Sequence, residues 1–174
     1  IRRGIEIMGI LNIFKQKNAE TLEPLTVYAP VSGKAVPLNE VPDEIFGAGI
    51  LGSGCGIWPE GNKVKAPFHG VICQVADTKH AVGVKSGDGM ELLIHVGLDT
   101  VDMAGNGFQV KVREGQKVLM GETLLEFDMN AVQKAGHPEI VVVIVTNSPD
   151  FKEIRLLEQG QVTERSPLLK LTAE

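Results

Sequence analysis

Thr78-Lys-His80-Ala-Val-Gly-Val-Lys85-Ser86-Gly-Asp-Gly89-Met90-Glu-Leu-Leu-Ile-His95-Val-Gly-Leu-Asp99 reads as two strands folded about one tight turn. The segments on either side of Ser86-Gly-Asp-Gly89 are rich in Val, Ile and Leu, and the Gly/Asp cluster between them is a hairpin signal. The turn sets the register. With Gly87-Asp88 as a two-residue loop, His80 faces His95 directly across the ladder. With Asp88-Gly89 as the loop, the histidines are diagonal neighbours on the same face, and only a slip of odd length separates them onto opposite faces. Residues directly opposite hold their Cβ atoms roughly 4.5–5.5 Å apart.

The same texture continues on both sides. Short Val/Ile/Leu runs from Leu25 onward are broken by Ser32-Gly33, Pro42-Asp43, Glu60-Gly-Asn62, His69-Gly70, Asn106-Gly107, Glu114-Gly115 and Met120-Gly121. With 20 glycines and 9 prolines among 174 residues, many short elements are expected in place of a few long helices. Ala29-Pro-Val-Ser-Gly33 returns as Ala66-Pro-Phe-His-Gly70, and Glu60-Gly-Asn-Lys-Val64 as Glu114-Gly-Gln-Lys-Val118. These echoes have no fixed period, so they indicate similar strand–turn units and not a solenoid. The expected fold is all-β: an antiparallel β-sandwich with an internal quasi-repeat and minor short helices. One helix is expected at 129–136, closed by Gly136, and a second at 150–159 after Asn147-Ser-Pro149.

The chain divides into an N-terminal tail, 1–24, and one domain, 25–174. Residues 1–7 lack an initiator methionine, and Met8-Gly-Ile-Leu-Asn-Ile-Phe14 reads as a natural start, so 1–7 are expected to be non-native. Ile10, Ile13 and Phe14 share a helical face ahead of Lys15 and Lys17, which fits a short amphipathic helix over 8–17 with peripheral membrane contact. The longest apolar run, Ile140–Val145, is strand-sized and far short of the ~20 residues a membrane span needs, and there is no secretory signal. A cytoplasmic location is expected. The formal net charge of −5 and the absence of a Lys/Arg cluster argue against nucleic acid as a partner. Cys55 and Cys73 are too few for a disulfide framework and are expected to be small buried hydrophobes. His69 and His137 lie in turn contexts and are expected at the surface.

Two imidazoles held side by side have few uses. They can share a metal that keeps positions open for an outside ligand, or act as nucleophile and helper. A neutral imidazole nitrogen can attack a phosphoryl group and later release it, while a neighbouring N–H stabilises charge on the phosphoryl oxygens. Two unrelated strand histidines would produce the same spacing.

The stretch Thr78-Lys-His80-Ala81 with Glu91-Leu-Leu-Ile-His95-Val-Gly-Leu-Asp99-Thr-Val101 resembles the glucose-type enzyme IIA domains of the bacterial sugar phosphotransferase system. Val41-Pro-Asp43, Phe46, Gly52-Ser-Gly54, Ile57-Trp-Pro59, Lys65-Ala-Pro67, Gly105-Asn-Gly-Phe108, Leu125-Glu-Phe-Asp128 and Val145-Thr-Asn147 follow in the family's order. The resemblance runs from about Val27 to Leu171. It implies a phosphohistidine carrier, a phosphotransferase component that takes a phosphoryl group from the phosphocarrier protein HPr and passes it to a cysteine of an enzyme IIB domain of a sugar transporter. It further implies that His95 is the acceptor through Nε2, that His80 stabilises the phosphoryl group, and that Thr78 orients His80. Phe46, Ile50, Leu51, Leu93 and Val96 would form an apolar partner-binding rim, with Asp99 as its carboxylate. Ala76 departs from the family, which often carries a bulky aromatic there, so the rim is expected to be shallower or differently filled.

Other readings compete. Some zinc peptidases share the sandwich, but they add a carboxylate ligand and a His-x-His pattern missing here. No cofactor is required by the resemblance; zinc between His80 and His95, completed by a partner's carboxylate, is a further option. Glu114-Gly-Gln-Lys-Val118 and Gly121-Glu-Thr-Leu124 are similar to turns of biotinyl and lipoyl carriers, a reading that leaves the histidines unexplained. Binding of regulatory target proteins according to phosphorylation state would be an addition to transfer.

Overall fold

The computed structural model of the protein describes residues 20–174. The expected helix at 8–17 and the question of residues 1–7 lie outside them. In chain order the elements are β1 (Thr26–Tyr28), β2 (Gly33–Pro37), α1 (Glu44–Gly47), β3 (Ser53–Pro59), β4 (Lys63–Lys65), β5 (Gly70–Val75), β6 (Ala81–Ser86) and β7 (Glu91–Val96). They continue as β8 (Phe108–Val110), β9 (Lys117–Val118), β10 (Thr123–Phe127), α2 (Met129–Lys134), β11 (Val141–Val145), β12 (Phe151–Leu156), β13 (Gly160–Val162) and β14 (Pro167–Ala173). Every strand pairing is antiparallel. One sheet has eight strands in the order β13-β2-β3-β11-β7-β6-β5-β9; two three-stranded sheets, β1-β14-β12 and β4-β10-β8, supply the other layer. The all-β sandwich with minor helices is as expected.

Alternation along the strands builds the core. Val82, Val84, Leu92, Ile94 and Val96 are at most 1% exposed and meet Val64, Leu124, Leu125, Phe127 and Leu169 of the facing sheets. The large sheet also carries a small apolar cluster on its other face: Val36, Val41, Phe46, Leu98, Ile140, Val142 and Ile144. β11 lies under both clusters, which explains its unbroken Val-Val-Val-Ile-Val sequence, every residue fully buried. The quasi-repeat is structural too: Gly33 opens β2 and Gly70 opens β5, while the two Lys-Val pairs lie in β4 and β9.

Several expectations fail locally. Residues 150–159 are not helical; Phe151–Leu156 is strand β12, paired with β14. A register shift between Phe151 and Glu153 lets Phe151 and Ile154 both pack on the core, a three-residue spacing that imitates a helix. Conversely, Pro42-Asp43 is no plain turn. Asp43 Oδ1 accepts from the amides of Ile45 and Phe46, both at 2.9 Å, and so caps the one-turn α1.

Cys55 is buried, its thiol pushed up to about 12 by desolvation, but Cys73 is exposed at the irregularity between Ile72 and Gln74. His69 and His137 are half-buried and bonded instead of free at the surface. His69 Nδ1 accepts from the Met120 amide (2.9 Å), which leaves Nε2–H to donate to the Glu20 carbonyl (2.8 Å). That bond helps tie down the described end of the tail, together with a Glu20–Arg165 ion pair and the Leu25 amide on Asp88 Oδ2 (2.8 Å). No described helix is long and apolar enough to cross a membrane.

Candidate functional site

The β6–β7 turn is neither of the two-residue loops expected. Ser86 and Met90 flank a three-residue loop, Gly87–Gly89, with Gly89 at φ +96°. The register therefore lies midway between the two alternatives, with Ala81 opposite His95 and Val82 opposite Ile94. By strand alternation alone, that odd slip would send His80 to the core face. It does not, because β6 begins only at Ala81. Ahead of it the chain turns through Lys79 in the left-handed region (φ 62°), held by the Lys79 amide on the Ala76 carbonyl (2.8 Å). His80 is thereby released from the alternation and its ring meets His95 edge to face, with 4.6 Å between centroids and 79° between planes. The pair forms as expected, by a different route.

Each ring is fixed on its other side. His95 Nδ1 lies 2.8 Å from the Gly97 carbonyl oxygen. A carbonyl only accepts, so the hydrogen is on Nδ1 and Nε2 is left bare. Gly97 is required there: its φ is +76°, and a Cβ would sit 2.4 Å from Thr100 Cγ2. Thr78 Oγ1 lies 2.8 Å from His80 Nδ1, and its hydroxyl can donate to that nitrogen when it is bare. Phe46, 7% exposed, stacks edge-on against His95 at 4.9 Å; Phe108 stands 6.4 Å from His80.

Burial sets the protonation. His95 is pushed down to about 4, first by desolvation and next by the charge of His80, against a weaker opposing pull from Gly97, Asp43 and Asp99. His80, 7% exposed, is also lowered by burial, with hydrogen bonding at Thr78 opposing. Both rings are neutral at pH 7, the state in which imidazole is a nucleophile.

Beside the pair, Phe46 packs in a small apolar cluster that Leu93 flanks. Of the other expected rim positions, Ile50 is 71% and Leu51 43% exposed, Leu93 is half-buried, and Asp99 is exposed. Val96 does not belong to this rim. It is fully buried in the inner core, because it alternates with His95 and points to the opposite face of β7. Ile45 (53% exposed) and Val101 (58%) are apolar positions not anticipated from the sequence. The available signal was Ile45 beside Phe46 in a one-turn helix, where two adjacent residues cannot both turn inward. Val101 sits between Thr100 and Asp102 in the turn after Asp99. A cleft of about 710 Å³ is lined by residues such as Asn62, Gln109 and Asn130 and includes neither histidine. As zinc donors the histidines supply two nitrogens; among the described residues no third His, Cys, Asp or Glu joins them, so those residues alone offer no four-coordinate site.

Comparison with known proteins identifies the family. The family described as phosphoenolpyruvate-dependent sugar phosphotransferase system, EIIA 1, matches residues 25–151. The glucoside-specific EIICBA component of Staphylococcus carnosus (strain TM300) is 41% identical over 143 residues, which is 82% of this chain and 20% of that protein. The beta-glucoside-specific EIIBCA component of Bacillus subtilis (strain 168) is 39% identical over 146 residues, 84% of this chain and 24% of that protein. The chain therefore spans about a fifth to a quarter of the length of these relatives. The solved glucose permease IIA from Mycoplasma capricolum superposes with a TM-score of 0.75 at 34% identity, covering 83% of this chain and 94% of that one. With the matched fold and the histidine pair inside the matched residues, the chain belongs to the EIIA 1 family of the phosphoenolpyruvate-dependent sugar phosphotransferase system, as a phosphotransferase component.

Proposed function

We propose that His95 is the phosphoryl acceptor and that His80 and Thr78 serve it. The observation that carries this reading is the Gly97 carbonyl on His95 Nδ1, which leaves Nε2 bare as the nucleophile. Nε2 attacks the phosphorus of a donor phosphohistidine; the Nε2–P bond forms as the donor N–P bond breaks, and Nδ1 keeps its hydrogen throughout. Thr78 donates its hydroxyl hydrogen to His80 Nδ1, which places the His80 hydrogen on Nε2, where it meets a phosphoryl oxygen. A thiolate from the next carrier then displaces the group from His95. Transfer of this kind depends mainly on positioning and charge stabilisation, which neutral, preoriented rings provide.

The donor on this reading is phospho-HPr and the acceptor a cysteine of an enzyme IIB domain, as the EIIB-containing relatives suggest. Both meet the face formed by Phe46, Ile50, Leu51, Leu93 and Asp99, and the domain works in the cytoplasm. Regulatory target proteins would use the same face. A zinc ion held there with a partner's carboxylate would occupy His95 Nε2 and compete with phosphorylation.

Incubation with phosphoenolpyruvate, enzyme I and HPr tests the assignment by mass. Wild type gains one acid-labile phosphoryl group, His95→Ala gains none, and His80→Ala gains one that it fails to pass on. An unphosphorylated wild type would sink the proposal.

A further inference from the structure

The Gly97 carbonyl is held in place by a segment outside the histidine chemistry. α2 closes in a Schellman motif: the Gly136 amide donates to the Gln133 carbonyl (3.0 Å) and the His137 amide to the Val132 carbonyl (3.1 Å), with Gly136 at φ +83°. That reversal lays residues 137–140 beside the loop that follows β7. The Gly97 amide donates to the Ile140 carbonyl (2.8 Å) and the Leu98 amide to the Pro138 carbonyl (3.0 Å). A side-chain tie lies further along the same loop. His137 Nε2 is 2.6 Å from Asp102 Oδ1, with the His137 side chain only 13% exposed and that of Asp102 64%. The loop these grips hold is one that needs them, since Asp99 (φ 58°) within it and Ala104 (φ 52°) just past its end both occupy the left-handed region without being glycine.

We propose that His137 and Asp102 are a positioning pair: by pinning the 97–103 loop to the 137–140 segment, they keep the Gly97 carbonyl on His95 Nδ1 and so keep His95 in the one tautomer able to accept a phosphoryl group. Neither residue touches the phosphoryl group. The step they support rests on the carrier function proposed above, but the placement of the carbonyl does not. Asp102 is the better residue to remove, because its exposed carboxylate leaves the core intact.

The test compares wild type, Asp102→Ala, His137→Ala and His137→Gln, the last keeping an N–H donor for Asp102. Amide hydrogen exchange and the ¹⁵N shifts of the His95 ring are read on the unphosphorylated protein. In Asp102→Ala the Gly97 and Leu98 amides exchange roughly tenfold faster while Ile94 is unchanged, as expected for the loss of one charge-assisted bond holding a local opening. The His95 ring nitrogens move from single-tautomer shifts toward averaged ones, and His137→Gln restores most of the wild-type signature. In phosphoryl acceptance, kcat falls with KM unmoved. Wild-type exchange and ring shifts in both alanine variants overturn the proposal; so does a change confined to KM, which would make Asp102 a docking residue only. Should His137→Ala fail to fold, Asp102→Ala decides alone. A wild type with the expected ring shifts that is never phosphorylated removes the carrier reading and leaves the positioning result standing.

Discussion

The His95 imidazole donates from Nδ1 to the carbonyl of Gly97, two residues along its own chain, at 2.8 Å. So short a loop is possible because Gly97 takes a left-handed conformation that turns its carbonyl back toward the ring, while Thr100 Oγ1 donates to the Val96 carbonyl from the other side (2.6 Å). The tautomer of His95 is therefore written into the backbone that ends β7, independent of any partner.

Gly97→Ala breaks this arrangement. A Cβ at φ +76° meets Thr100 Cγ2 at 2.4 Å and the Pro138 carbonyl oxygen at 3.2 Å. Left-handed strain alone costs about 1–2 kcal/mol, so with the clash we expect a destabilisation of about 2 kcal/mol or more in urea unfolding. Gly89→Ala, at φ +96° with nothing within 4 Å, carries the strain without the clash and is the control. Equal losses in the two variants would refute the role of the close approach.

Thr78→Val keeps the shape of the side chain and removes its hydroxyl. His80 then loses the partner 2.8 Å from Nδ1, and its hydrogen is free to shift between the ring nitrogens. Acceptance by His95 persists, while transfer to the next carrier slows roughly tenfold, less than the 10²–10³ typical of losing a direct donor. Rapid-quench measurement of the two half-reactions separates them; equal slowing of both would contradict the assignment.

Stability depends on pH with a sign fixed by His95. Its folded value, about 4, lies below the ordinary 6.5, so between these values the unfolded chain binds the proton and the folded one does not. The contribution is therefore fully present above pH 6.5 and is lost as pH falls toward 4; burial of His80 acts in the same direction. From pH 7 to pH 5 the wild type should lose about 2 kcal/mol more stability than His95→Gln. Urea titrations of both proteins at the two pH values check this, and parallel losses would show that the ring is not protected from protonation.

Ile50→Glu separates docking from folding. At 71% exposure Ile50 contributes little to the core, so Tm and the unfolding midpoint stay within about 0.5 kcal/mol of wild type. If phospho-HPr docks on the proposed face, its apparent KM rises roughly fivefold to tenfold as a charge is placed there. An unchanged KM would remove Ile50 from the partner face.

Much of this was legible in the chain. Short Val/Ile/Leu runs broken by turn residues at close intervals were enough for an all-β sandwich, because a strand's inward face must be apolar whatever covers it. The repeated Ala-Pro-x-x-Gly and Glu-Gly-x-Lys-Val units mark strand openings for the same local reason. His80 and His95 were visible as a pair, and Thr78 as a neighbour of one of them. What the chain could not disclose depends on contacts remote in sequence or on single-residue register. Phe151–Leu156 suits a helix or a strand until β14 arrives to pair with it. The three-residue loop, not local preference, put Ala81 opposite His95, and the Lys79 turn then rescued the histidine contact. Val96 was expected in the rim through the family resemblance, yet alternation sends it into the opposite layer, where it is fully buried. His137 looked like a surface residue until the Gly136 reversal carried it to Asp102, 35 positions away. Sequence determined which strands form and which side chains bear the chemistry; the pairing of layers and loops decided which faces they share, since that is a balance of contacts no single segment contains.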